Sequence, residues 1–110
     1  MAALTPAVMH ILLSLAGGER HGYAILKEVL TQTNNQVRLG PGTLYGTLQR
    51  LMECGWVDET DGPGDGSDER RRYYRLSRSG REALRAEVER LDALVRGARA
   101  RGIVPRPSRG

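Results

Sequence analysis

The sequence predicts a mainly α-helical fold with one small β-hairpin, in which three helices and the hairpin precede a long C-terminal helix. Three observations predict it. Apolar residues recur at helical spacing in three stretches between Thr5 and Gly55, each closed by glycine or asparagine. Aromatic and basic residues then alternate over 70–77 behind a turn-rich stretch. Finally, apolar residues return every three or four positions from Leu84 to Ala98.

Thr5 can cap the first helix and Pro6 suits its first position, where a missing N–H costs nothing. Val8, Ile11, Leu12 and Leu15 share one face, and Gly17-Gly18 ends the run. A second helix spans about His21 to Gln32 with a broad apolar face (Tyr23, Ala24, Ile25, Leu26, Val29, Leu30), and Thr33-Asn34-Asn35 closes it. After a short extended segment over 36–39, Gly40-Pro41-Gly42 turns the chain into a third helix from about Pro41 to Cys54, with Gly55 as its C′ residue. Leu44, Leu48 and Leu51 line its apolar face, so Thr43, Thr47, Gln49 and Arg50, with Tyr45 on the flank, are expected to point away from the core.

Residues 56–60, the turn-rich 61–67 and the run Arg70 to Ser77 read as a β-hairpin with a long tip. Alternation places Arg72, Tyr74 and Leu76 on one face, packing inward through Tyr74 and Leu76, and Arg71, Tyr73 and Arg75 on the other. Ser79 to Glu82 has the S-x-x-E spacing of a capping box and is expected to open the last helix, which runs to about Arg101. Within it Leu84, Val88, Leu91, Val95 and Ala98 follow the spacing of a coiled-coil seam. The order of elements is that of a winged helix-turn-helix domain (1–77) with a C-terminal dimerisation helix (78–101). A tail over 102–110, rich in Gly, Pro and Arg, is expected to be disordered.

A chain of 110 residues suits one domain that folds without disulfides or metals. The single cysteine, Cys54, gives no disulfide framework and no zinc site, which fits a reducing cytoplasm. The apolar N-terminus has no basic residue ahead of it and is too short to span a bilayer, so no membrane association is expected. Residues 1–69 carry four basic and nine acidic side chains, whereas residues 70–110 carry thirteen arginines and four acids. This asymmetry points to a polyanionic partner, with nucleic acid ahead of a membrane surface.

The third helix meets the requirements for reading duplex DNA: an apolar inner face holds it, and its outer face carries hydrogen-bonding groups that fit a major groove. Its Gly-Pro-Gly opening leaves backbone N–H groups free for a phosphate. The same opening lacks the GK[ST] ending of a nucleotide-binding loop. His10 and His21 have no second ligand at metal spacing, so both read as structural, and no metal or cofactor is expected. No serine, cysteine or carboxylate pair stands in a catalytic setting, so an enzyme is not expected.

These residues together resemble the PadR-type winged-helix regulators in their short form, from Thr5 to about Arg99. The resemblance rests on His21-Gly22-Tyr23, Pro41-Gly42-Thr43-Leu44-Tyr45, Leu48-Gln49-Arg50-Leu51 with Gly55, Arg72 to Ser77, and Gly80-Arg81-Glu82-Ala83-Leu84. It implies a dimeric, sequence-specific DNA-binding regulator that represses nearby genes on a pseudo-palindromic operator until a small-molecule effector binds. By position, Pro41, Gly42, Thr43, Tyr45, Thr47, Gln49 and Arg50 would be the contacts of the third helix, and Arg70, Arg71 and Arg72 those of the wing. Leu84, Val88, Leu91, Val95 and Ala98 would form the dimer interface. Asp61, Asp65, Asp68 and Glu69 make this wing tip acidic where family wings are often basic, which assigns DNA contact to the wing base. The last helix has no aromatic residue with which to stack a planar effector. The competing reading is a protein–protein adaptor that reuses the same fold without DNA.

Overall fold

The computed structural model describes residues 4–62 and 72–103. The described elements run in the order α1 (Pro6–Ala16), β1 (Arg20–His21), α2 (Gly22–Gln32), α3 (Pro41–Glu53), β2 (Val57–Thr60), β3 (Tyr73–Leu76) and α4 (Arg78–Ala100). The fold is mainly helical, with a three-stranded antiparallel sheet in the order β1-β3-β2.

Thr5 accepts a hydrogen bond from the Val8 N–H at 3.2 Å and Pro6 follows it, so α1 starts where the sequence places its start. At the far end of α2, the Thr33 hydroxyl donates to the Val29 carbonyl and accepts from the Val37 N–H. Asn34 and Asn35 then take positive φ, a conformation asparagine tolerates, and this turn leads towards α3. Gly55, at φ 81°, closes α3: its N–H reaches the Met52 carbonyl while the Trp56 N–H reaches that of Leu51. This paired arrangement satisfies two carbonyls of the last turn and aims the chain into β2.

Ile11, Leu12, Leu15, Ile25, Val29, Leu44, Leu48, Leu51, Val57, Tyr74 and Leu84 make one buried cluster. Each fully buried Leu or Ile contributes roughly 1.5–3 kcal/mol relative to leaving it exposed. Because α1, α2, α3, the hairpin and the start of α4 all supply members, α3 is held by its Leu44-Leu48-Leu51 face and its opposite face is left outside.

Four local features differ from the sequence reading. Strand β1 was not expected; its two residues pair with β3 in the register Arg20↔Tyr74 and His21↔Tyr73, and two residues are too few to show a period. The cap of α4 is Ser77 rather than Ser79, since the Ser77 hydroxyl accepts from the Gly80 N–H at 3.0 Å. Ser79 lies inside the first turn and donates instead to the Gly55 carbonyl at 2.9 Å. Leu84, expected in the dimer seam, belongs to the chain's own core, because the first turns of α4 lie against α1 and β3. Thr47, expected on the outer face of α3, is only 6% exposed. The wing tip with Asp65, Asp68, Glu69, Arg70 and Arg71, and the tail from residue 104, lie outside the described residues.

Candidate nucleic-acid interface

The outer face of α3 is presented by what lies beneath and before it. Gly40, the N-cap residue, provides no side-chain hydrogen bond, and Pro41 opens the helix. The first-turn N–H groups of Gly42 and Thr43 therefore have no capping side chain over them and lie at the positive end of the helix dipole. Pro41, Gly42, Thr43, Tyr45, Gln49 and Arg50 are all exposed. Gly46, not singled out from the sequence, is exposed too, and a Cβ at Gly42 or Gly46 would meet nothing within 4 Å. One turn apart, these glycines make a bare strip where a nucleic-acid surface can approach the helix backbone closely.

Thr47 has a different use. Its hydroxyl accepts a hydrogen bond from the Arg50 guanidinium at 3.3 Å, one turn along, so the buried side chain orients an exposed cation. Tyr45 leans back over Gly22, joining the N-terminal part of α3 to that of α2. At the base of the hairpin, Arg72 is exposed beside β3. The neighbouring Tyr74 is buried and its phenol is pushed above its ordinary range, first by burial and then by the Glu59 carboxylate, so it stays neutral. On the outer hairpin surface, Arg75 and Asp58 form a loose ion pair at 3.8 Å, which at such exposure contributes little.

Exposed apolar residues run along α1 and α4. Leu13, Val88, Leu94 and Val95 are exposed, Leu91 is half-buried, and a cleft of about 530 Å³ between α1 and α4 is lined by Leu4, Met9, Leu13, Leu84, Val88 and Leu91. Leu13 and Leu94 were not among the expected seam residues. Also beside this cleft, the Nδ1 atom of His10 is buried with no hydrogen-bond partner among the described residues. Glu87 accepts two hydrogen bonds from Arg90 at the rim, and those bonds hold its carboxyl below the usual carboxylate range.

The apolar side is tied to α3 through the start of α4. The hydroxyls of Ser77 and Ser79 both donate to the Gly55 carbonyl, and the Ser77 N–H donates to that of Trp56 at 3.0 Å. Gly80 completes the joint, since a Cβ there would run into the Trp56 backbone. No helix among the described residues is long and apolar enough to cross a membrane, and they hold no metal-binding cluster.

Comparison with known proteins agrees with this fold. The family model described as the transcriptional regulator PadR-like family matches residues 11–86. Transcriptional regulator Rv3488 of Mycobacterium tuberculosis is 36% identical over 88 residues, which are 80% of this chain and 78% of that protein. An uncharacterized 37.1 kDa protein in a transposon of Streptomyces fradiae is 39% identical over 88 residues, but the match spans only 24% of its length. Among solved structures, a transcriptional regulator from Clostridium thermocellum superposes with a TM-score of 0.70 at 24% identity, covering 86% of this chain and 87% of that one. A Bacillus subtilis PadR solved with operator DNA gives 0.62 at 22% identity, covering 73% of this chain and 45% of that one.

Proposed function

Since this chain belongs to the PadR-like family of transcriptional regulators, we propose that it binds operator DNA as a homodimer, with α3 in the major groove and the hairpin base on the flanking backbone. The observation that carries the reading is the pairing on α3 of a buried leucine face with a bare outer face, on which Thr47 aims Arg50 and the helix N-terminus stays open. An arginine so held suits a guanine edge, which offers two acceptors in the major groove. Gly42 and Thr43 suit a phosphate, and Arg72, with Arg70 and Arg71 beside it in sequence, supplies the wing contacts. The operator complex of the Bacillus subtilis relative supports the same use of the fold.

The exposed apolar side of α1 and α4 supports dimerisation through Val88, Leu91, Val95 and Ala98, now joined by Leu13 and Leu94. A dimer doubles the phosphate contacts and implies a two-fold operator with half-sites about 34 Å, or one helical turn, apart. We assign it to repression in the cytoplasm, relieved by a small molecule. Family membership favours that pattern, and the Ser77–Gly80 joint offers a path from the dimer face to α3.

The test is to incubate purified protein with fragments of its source genome over a series of salt concentrations. The reading expects one or a few fragments to be retained, with log affinity falling against log salt by about 0.9 for each phosphate contacted. If no fragment is retained above background even at low salt, the protein-adaptor reading replaces it.

A further inference from the structure

Tyr74 is 1% exposed and is the one aromatic residue of the buried cluster. A phenylalanine would bury the same ring, so packing alone does not account for the hydroxyl. The residue lies on β3, the central strand, opposite Arg20 of β1 on one side and Glu59 of β2 on the other. Directly paired residues share a face of a sheet, and alternation along the chain puts Arg72 on that face too. Arg20 is engaged elsewhere, its Nε donating to the Ser14 carbonyl at 2.7 Å. Glu59 and Arg72 are exposed, so this face runs from the core at Tyr74 out to the base of the wing.

The phenol oxygen is acted on from three elements. Burial, then the Glu59 carboxylate and the Tyr45 phenol of α3, push its ionisation up, while the Arg72 guanidinium works against them by its charge and by a side-chain hydrogen bond. The phenol stays neutral, so its oxygen can accept while its proton is still free to donate. Arg72 has no ion pair among the described residues. A long cation left free loses rotamer entropy when it settles on a phosphate, and one held in advance loses less. Thr47 already holds Arg50 in this way on α3, with an inward-facing hydroxyl beneath an exposed guanidinium.

We propose that Tyr74 is a positioning residue for DNA binding: its hydroxyl accepts a hydrogen bond from Arg72 and holds that guanidinium at the wing base, at a fixed offset from α3. This rests on the DNA-binding reading above. One N–H of the guanidinium engages Tyr74 and the others remain for a phosphate. Tyr74 touches no DNA itself and acts through Arg72, so its hydroxyl matters to binding only while Arg72 is present. A phosphate contact carries no sequence information, and the effect is therefore the same on operator and on random duplex.

The experiment measures affinity for the retained genome fragment and for random duplex across salt. It compares the wild type, Tyr74→Phe, Arg72→Ala, the double variant of these two and, as a control on the other face of β3, Tyr73→Phe. Thermal unfolding verifies that each variant is folded. Arg72→Ala is expected to flatten the salt slope by about 0.9, the loss of one phosphate contact. Tyr74→Phe is expected to weaken both duplexes alike by about threefold to fivefold, and to cost nothing further in the Arg72→Ala background. Tyr73→Phe is expected to bind as the wild type does. Arg72→Lys tests the same contact from the surface, without altering the core: it keeps the charge but loses the planar fork, and is expected to weaken both duplexes by a similar factor with the slope kept. Wild-type binding by Tyr74→Phe, an equal loss with and without Arg72, or an unchanged slope in Arg72→Ala overturns the proposal while leaving the DNA-binding reading intact. So does an equal loss in Tyr73→Phe, or wild-type binding by Arg72→Lys, which decides the matter should Tyr74→Phe not fold. Failure of the wild type to bind either duplex overturns both.

Discussion

The ring of Tyr45 lies so close over Gly22 that a Cβ at Gly22 would stand 2.8 Å from the phenol Cζ, well inside contact distance. Only a residue without a side chain lets the N-terminal parts of α2 and α3 meet in this way.

Gly22→Ala is expected to show this through DNA rather than through stability. The obstructing group is the end of an exposed side chain, so Tyr45 can swing outward and the unfolding free energy should stay within about 1 kcal/mol of the wild type. The displaced phenol then leaves its place on the outer face of α3. Operator affinity, measured by fluorescence anisotropy, should fall by about 1 kcal/mol, the scale of one lost hydrogen bond.

Gly80→Ala should behave in the opposite way. Here the new methyl meets the Trp56 backbone, which cannot swing aside. A loss of about 1–3 kcal/mol is expected from the forced separation of α4 and β2. Calorimetry would register it as a lowered Tm, and a Tm equal to that of the wild type would mean the joint is loose.

Thr47 and Arg50 can be separated by their effects on specificity. Arg50→Ala should cost about 1–3 kcal/mol on operator and much less on random duplex, as expected when a base contact is lost. Thr47→Val keeps nearly the same volume but removes the acceptor that orients the guanidinium. It should reproduce a fraction of that loss, about 0.5–1.5 kcal/mol, and Thr47→Ser should restore it. A full effect from Thr47→Val on random duplex would indicate a disturbed helix instead.

The apolar side predicts a change of assembly. Val95→Asp places a charge on the exposed seam without touching the core, and sedimentation should then show monomers. Leu84→Asp, by contrast, should unfold the chain, because Leu84 is 6% exposed within its own protomer.

Much of this was legible in the sequence because single residues there have single explanations. Thr5-Pro6 announces a helix start, Gly55 a helix end, and Leu44-Leu48-Leu51 the face on which α3 rests. What escaped depends on three-dimensional neighbours. Ser77 and Ser79 are both serines near a helix start, and both hydroxyls reach the Gly55 carbonyl, but only that of Ser77 also accepts the Gly80 N–H and so caps α4. Thr47 follows polar spacing yet is buried, because a methyl and a hydroxyl allow it to pack inward while still holding Arg50. The edge contact of the His21 ring with that of Tyr73 was invisible for the same reason: the two are far apart in the chain and meet only through the two-residue strand β1.

The central claim is that a dimer reads DNA through α3, and hydroxyl-radical footprinting of the retained genome fragment tests it most directly. The account predicts two protected patches related by a two-fold axis, about 34 Å or one helical turn apart, which collapse together in Val95→Asp and fade in Arg50→Ala. A single unsymmetrical patch, or protection unchanged by both substitutions, would contradict it.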